Sequence, residues 1–366
     1  MKLFKILSGL SIIAICVVFF ASKIFLSYWH TPIKELQTPT IVSVAPGSNF
    51  RELALELNKK DLMPWPALSI VWVRFFEPNF VLKAGEFQLP ALASPAQILD
   101  VLNRGVSLQY ELTLIEGDSG QQMLAKLLET PAFASDQSLS LTVDKLSNSL
   151  SPAAIKYMQG NDNPEGWFLP DTYFYAKDDS LLSVLNRAHL AMLEALEAEW
   201  ADRAEDLPYQ SAYEALIMAS IVEKETGVAY ERPKIAGVFV RRLQKGMRMQ
   251  TDPTVIYGMG ERYKGNLRRA DLKQDTAYNT YTRHGLPPTP IAMPGRAAIY
   301  AALHPLDGTE LYFVAKGDGS HYFSTTFKEH QAAVQKYQVQ KRRADYRSTP
   351  LSPSAKKQAK SIDNQG

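Results

Sequence analysis

Apolar positions along the chain fall into distinct patterns, and each pattern predicts a different element. The opening is unbroken: ILSGLSIIAICVVFFAS, residues 6–22, contains no charge, and the run resumes after Lys23 as IFLSYW. That length matches the roughly 20 residues a membrane-crossing helix needs. Tyr28 and Trp29 fall where interfacial aromatics sit, and Lys23 is long enough to reach the headgroups. After a short tether, TPIKELQTPT, alternation in IVSVAPGSNF predicts a strand that ends at Pro-Gly. RELALELNKK then takes helical spacing, with Leu53, Ala54 and Leu57 on one face. PALSIVWVRFF predicts a second helix and AGEFQLP a short strand. SPAQILDVLNRG predicts a helix with Ser94 as N-cap, Pro95 at its first position and Gly105 as its stop.

From Gln109, YELTLIEGDS reads as a strand leading into a helix, QQMLAKLLE, and then a Ser-rich loop and helix. Helices are expected near 181–205 and 211–226, the first laced with charge and the second nearly free of it before Glu223. LYFVAK and HYFSTT, joined by GDGS, predict a terminal hairpin. The last residues are polar and basic with no core pattern, as in a disordered tail. The class is α+β, without internal repeats. Four segments are expected: 1–30, a cytoplasmic N-terminus and transmembrane helix; 31–106, a tether and small domain; 107–340, a mixed α+β domain; and 341–366, the tail.

Composition narrows the chemistry. With 366 residues and ordinary globular composition the chain can bury a real core. A net charge of +2, without a concentrated basic stripe before the tail, makes nucleic acid a poor partner. Lys2 and Lys5 would hold the N-terminus in the cytoplasm and put residues 30 onward outside. A cleaved signal peptide is the rival reading, but Phe19 and Phe20 before Ala21 are bulky where cleavage favours small residues. Ile15 likewise disfavours a lipoprotein site at Cys16. That lone cysteine excludes an intramolecular disulfide and a CxxC metal site, and the six histidines form no HExxH pair. No metal or cofactor is expected, so chemistry falls to carboxylates, hydroxyls and amides.

MASIVEKETG, residues 218–227, places two glutamates on a helix that is otherwise apolar almost all round and then reaches a glycine. At about 100° per residue, Glu223 and Glu225 point roughly 200° apart and serve different surfaces. Val222, Ile221 and Met218 precede Glu225 at i−3, i−4 and i−7, so this carboxylate closes an apolar face. Glu223 lies nearer Leu216 and Ala219 and is expected to tie the helix to Arg241 or Arg242. Downstream, GMRMQTDPTVIYGMG and AYNTYTRHGLPPTPIAMPG are dense in amides, hydroxyls and aromatic rings, the groups a sugar site uses. Gln250, Thr251, Asp252, Tyr257, Asn279 and Tyr281 are therefore candidates to line one cleft. Taken singly, each also fits a turn cap or a packed ring. Glu165 and Asp171 flank Trp167, Phe168, Tyr173, Phe174 and Tyr175, a cluster that reads more readily as core than as a sugar platform.

Together ASIVEKET, MQTDPTVIYGMG, AYNTYTRHGLPP and EGWFLPDTY resemble the endolytic murein transglycosylase (MltG, YceG-like) family, from the anchor to about residue 340. The resemblance implies an inner-membrane enzyme with a periplasmic catalytic domain that cuts peptidoglycan glycan strands internally, beside peptidoglycan synthases. It implies a LysM-like module at about 40–106, matching that region's order of elements, and a buried catalytic helix. It also assigns the catalytic glutamate to the residue followed by threonine, Glu225. Such an acid must stay protonated near neutral pH, which an apolar face promotes. In lytic transglycosylation the same carboxylate then acts as base, so no second carboxylate is required. Asp252 is the residue most able to break that expectation. At about 5.5 Å from Glu225 it would suit a retaining hydrolase, and at about 6.5–9.5 Å an inverting one; otherwise it caps a turn before Pro253. A muramidase at the same bond and a non-catalytic glycan-binding scaffold are the alternatives.

Overall fold

The computed structural model describes residues 2–130, 133, 163–177 and 179–340, with side chains from Ile12 onward except Ala14 and Val18. The Ser-rich loop and helix expected beyond the first half-helix of the large domain, and the 341–366 tail, lie outside the described residues. The chain divides into two compact units, Met1–Glu111 with Phe174–Asp179, and Leu112–Tyr173 with Ser180–Gly366.

The first unit begins with α1 (Lys2–His30). Among the residues whose side chains are described, which leave out those of 2–11, Ala14 and Val18 in α1, no helix is long and apolar enough to cross a membrane. Two antiparallel strands, β1 (Thr40–Val44) and β2 (Gly85–Leu89), pair from Thr40↔Leu89 to Val44↔Gly85. Between them come α2 (Phe50–Lys59) and α3 (Pro66–Phe76), and α4 (Pro95–Arg104) follows. Alternation turns Val42, Val44, Phe87 and Leu89 inward onto Leu53, Leu57, Ile98 and Leu102. Ser94 caps α4 through a reciprocal capping box with Gln97. The segment 31–40, expected to be a tether, is pinned to this core at two points. Ile33 and Leu36 are buried in it, the Ile33 N–H donates to the Ala93 carbonyl at 3.1 Å, and the Leu92 N–H donates to the Leu36 carbonyl at 2.6 Å. Residues 174–179 return to this unit, where the Lys177 ammonium meets Glu86 at 2.7 Å.

In the chain, β3 (Tyr110–Thr113) and β4 (Thr172–Tyr175) form a second two-stranded sheet, and α5 (Gly120–Leu128) lies between them. The core of the second unit is helical: α6 (Leu181–Ala201), α7 (Ala212–Glu225), α8 (Arg232–Gln244), α9 (Asp252–Met259) and α10 (Arg296–Leu303). α7 packs against α6, α8, α9 and α10. From Ala215 to Val222 every one of its residues is buried, as expected of a helix apolar all round. The expected hairpin forms as β5 (Tyr312–Ala315) and β6 (His321–Ser324), in register from Tyr312↔Ser324 to Ala315↔His321, and α11 (Phe327–Val334) follows. Trp167 and Phe168 are core, with Trp167 stacked on Tyr213 at 5.8 Å.

Candidate active site

Glu225 is the last residue of α7. The helix ends because Thr226 leaves it in extended backbone (φ −147°), a β-branched residue at the C-cap, with its hydroxyl accepting the Val228 N–H at 3.0 Å. Gly227 is not needed as a left-handed stop. Val222, Ile221 and Met218 are all fully buried beneath Glu225, so its carboxyl stands on an apolar floor at the wall of a cavity. Burial lifts its pKa from 4.5 to about 7. The Thr251 hydroxyl, which donates to Oε1, and the nearby Arg242 hold it down, while the Asp252 charge adds to the rise.

Thr251 is itself held. Gln250 takes a left-handed backbone (φ +55°), a conformation that costs a non-glycine residue about 1–3 kcal/mol, and its N–H donates to the Thr280 carbonyl at 3.2 Å. The turn delivers Thr251 as the N-cap of α9. Its N–H then donates to Thr280 Oγ1 at 3.1 Å, and Thr254 Oγ1 closes the cluster, 2.9 Å from Thr280 Oγ1 and 2.8 Å from the Thr251 carbonyl. Three buried threonines thus aim one hydroxyl at the Glu225 carboxyl. Arg242, also buried, spends its donors on the carbonyls of Leu311 (2.7 Å), Met249 (2.5 Å) and Arg248 (3.2 Å). It supplies a fixed positive field without pairing directly with Glu225.

The cavity in front of Glu225 has a volume of about 1450 Å³. This exceeds the roughly 300–1,000 Å³ of common small-molecule clefts. Aromatic rings from three regions line it: Tyr257 and Tyr263, Tyr281, and Tyr312 with Phe313 of the hairpin. Besides Asp252 and Glu261, another carboxyl faces the same space. Glu165 is buried, accepts the Gly120 N–H at 2.8 Å and the Tyr257 hydroxyl at 3.0 Å, and is lifted by burial to about 7. The geometry therefore offers two carboxyls able to hold a proton at neutral pH, one on an apolar floor and one held by the Gly120 N–H and the Tyr257 hydroxyl.

The model of the YceG-like family matches residues 42–336. The chain belongs to the YceG-like family. It is 30% identical over 313 residues to a Bacillus subtilis protein named endolytic murein transglycosylase, covering 83% of this chain and 86% of that one. A Streptococcus pneumoniae protein of the same name is 27% identical over 320 residues, 80% of this chain and 57% of the relative. The crystal structure of a YceG-like protein from Listeria monocytogenes matches with a TM-score of 0.51 at 28% identity, over 81% of this chain and 99% of that one.

Within this YceG-like chain the sequence candidates are sorted by the fold. Glu225, Gln250, Asp252, Tyr257 and Tyr281 line the cavity, and Thr251 lies behind them as donor to Glu225. Asn279 does not line it. It is fully buried and its amide is consumed in bracing a loop, donating to the carbonyls of Leu272 (3.1 Å) and Gln274 (2.7 Å) and accepting the Tyr281 N–H (2.9 Å). Asp252 is the first residue of α9 and not its cap, and it accepts the Tyr281 hydroxyl at 2.6 Å. Glu223 takes neither expected arginine. It pairs with Arg232 at 2.8 Å and accepts the Gly295 N–H at 3.1 Å, because Arg241 and Arg242 are committed to carbonyls and to Glu310. Sequence reasoning missed Glu165 as part of the cleft; its one signal was membership of the EGWFLPDTY string, where the neighbouring rings pointed to core. Arg242 and the hairpin rings had no local signal at all.

Proposed function

We propose that this chain is a peptidoglycan lytic transglycosylase with Glu225 as its acid and base. The observation that carries the reading is the Glu225 carboxyl on its apolar floor, with a pKa lifted to about 7 at the wall of a large cavity. Protonated, it delivers its proton to the oxygen leaving the muramic acid anomeric carbon, and the glycosidic bond breaks. Ionised, it takes the proton of the muramic acid C6 hydroxyl, whose oxygen closes on the same carbon. No water enters, and the strand ends in a 1,6-anhydro ring. Thr251 steadies the ionised form between the two steps, and Gln250, Asp252, Tyr257 and Tyr281 contact the sugars. The relatives' name supports the substrate. The apolar run at 6–22 supports a single-pass bilayer anchor with the cavity on the periplasmic side, and the order β1-α2-α3-β2 supports a LysM-like module.

The test is mass spectrometry of purified glycan strands digested by the detergent-solubilised full chain, beside Glu225→Gln. Anhydro-muramic ends made by the parent alone support the reading. Reducing ends would assign a hydrolase, for which the Glu165 carboxyl in the same cavity is the favouring observation. Activity retained by Glu225→Gln, or cleavage by neither protein, overturns it.

A further inference from the structure

The outward side of α3 is apolar and uncovered. Leu68, Val71 and Phe75 recur at i, i+3 and i+7 and are exposed, Phe75 by 69%, and Phe76 beside them is exposed by 63%. Arg74 is the sole charge on the helix. A soluble surface rarely leaves so continuous a patch bare.

The other flank of α3 is stacked on α1. Trp72 lies 5.4 Å from Phe25 and 5.1 Å from Trp29, Trp65 lies 4.9 Å from Tyr28, and the Trp65 N–H donates to the Tyr28 hydroxyl at 3.4 Å. Trp29 is therefore enclosed by protein and not free among headgroups, as its place after the apolar run had implied. No loose tether separates α1 from the rest of the unit, since Ile33 and Leu36 continue directly into the core. The level of α3 along α1 is thus set. From Ile6 to Phe25 a helix climbs about 28 Å at 1.5 Å per residue, close to the ~30 Å hydrocarbon core of a bilayer. The ring contacts at Phe25, Tyr28 and Trp29 then fall at the outer interface, where the partly exposed Tyr28 and Trp65 sit at the depth that Trp and Tyr favour.

We propose, on the anchor reading above, that α3 lies in the outer headgroup layer of the bilayer that α1 crosses, with Leu68, Val71 and Phe75 at the acyl boundary. Lipid is the occupant because α3 is packed through Trp72 on Phe25 and Trp29, at the end of a helix whose Phe19, Phe20 and Ile24 are themselves exposed apolar side chains. Apolar area on a helix of this kind inserts to about 5–10 Å. The first unit is then held flat on the membrane instead of swinging on a tether.

The chain's single cysteine makes the test direct, since Cys16 is exposed on α1. An environment-sensitive fluorophore is placed on Cys16, or on Phe75→Cys in a Cys16→Ser background; both positions are exposed, so the core is untouched. The full chain is reconstituted in vesicles of phosphatidylethanolamine and phosphatidylglycerol, without nitroxide lipid or with nitroxides near the headgroup or mid-chain. We expect the label at 16 to lose its emission to the mid-chain nitroxide and the label at 75 to lose it to the shallow one. Quenching at 16 alone keeps the anchor and overturns the docking of α3. Quenching at 75 alone supports the docking and overturns the anchor, and quenching at neither overturns both. A blue-shifted label at 75 that no lipid nitroxide quenches means that protein, such as a second copy, covers the face, which also overturns the docking.

Discussion

Replacing Glu225 by Gln should stabilise the protein, and the gain should depend on pH in a way that reports the site's electrostatics. Burial lifts the Glu225 carboxyl from 4.5 to about 7. The folded state thus holds this proton more tightly than the unfolded chain does. Below pH 4.5 both states are protonated and the carboxyl carries no penalty. As pH rises from 4.5 towards 7 the unfolded chain releases its proton while the folded state keeps it, and stability falls; above 7 the full cost is present. At 1.36 kcal/mol per pH unit of displacement, the cost is about 3 kcal/mol. Glutamine carries no charge at any pH and escapes it, while its carbonyl still accepts from Thr251. Urea unfolding of parent and variant in detergent, followed by tryptophan fluorescence at pH 4.5, 6, 7 and 8, should give curves that coincide at the acid end and separate by about 3 kcal/mol at pH 8. In a thermal melt this is roughly 6–12 °C. Glu165, also lifted to about 7, contributes equally to both proteins and cancels from the difference. Parallel curves across the range would mean that Glu225 ionises normally, and the account of its protonation would be refuted.

Thr251→Val removes the donor to the Glu225 carboxylate. A hydrogen bond to a charged group is worth about 1.5–3 kcal/mol, so the alkaline limb of kcat/KM should move up by about 1–2 pH units; an unmoved limb would show that Thr251 does not tune the acid. Glu223→Ala leaves the buried Arg232 with only the half-exposed Glu116 at 3.5 Å, which should cost about 3 kcal/mol in unfolding experiments. Turnover below the melting range should be unchanged, and a loss of rate without a loss of stability would contradict the structural role. Gly166→Ala meets two obstacles: a φ of +82°, and a Cβ only 2.6 Å from that of Pro290. A destabilisation of about 1–3 kcal/mol is expected, and a neutral melting curve would show that the 290 loop yields freely.

Periodicity sufficed wherever an element is built by its own residues. The capping box at Ser94, the strand alternation at 40–44 and 85–89, the terminal hairpin and the burial of α7 follow from local spacing. So does the choice of Glu225, whose apolar floor at i−3, i−4 and i−7 is a property of one helix. Asn279 shows the limit: its position in a polar, aromatic loop suggested a ligand contact, but three nearby carbonyls take its amide.

By itself the sequence determined the α+β class, most helices and strands of the first unit, the family resemblance and the catalytic candidate, because each depends on side chains within a few turns of one another. Only tertiary structure decided which donors reach that carboxyl, that Glu165 shares its cavity through Tyr257 some 92 positions away, that Glu223 pairs with Arg232, and that the supposed tether is pinned to the core by Ile33 and Leu36. Those outcomes depend on which distant backbones pack together. A side chain's partners, and with them its pKa, are set by that packing and leave no periodic trace along the chain.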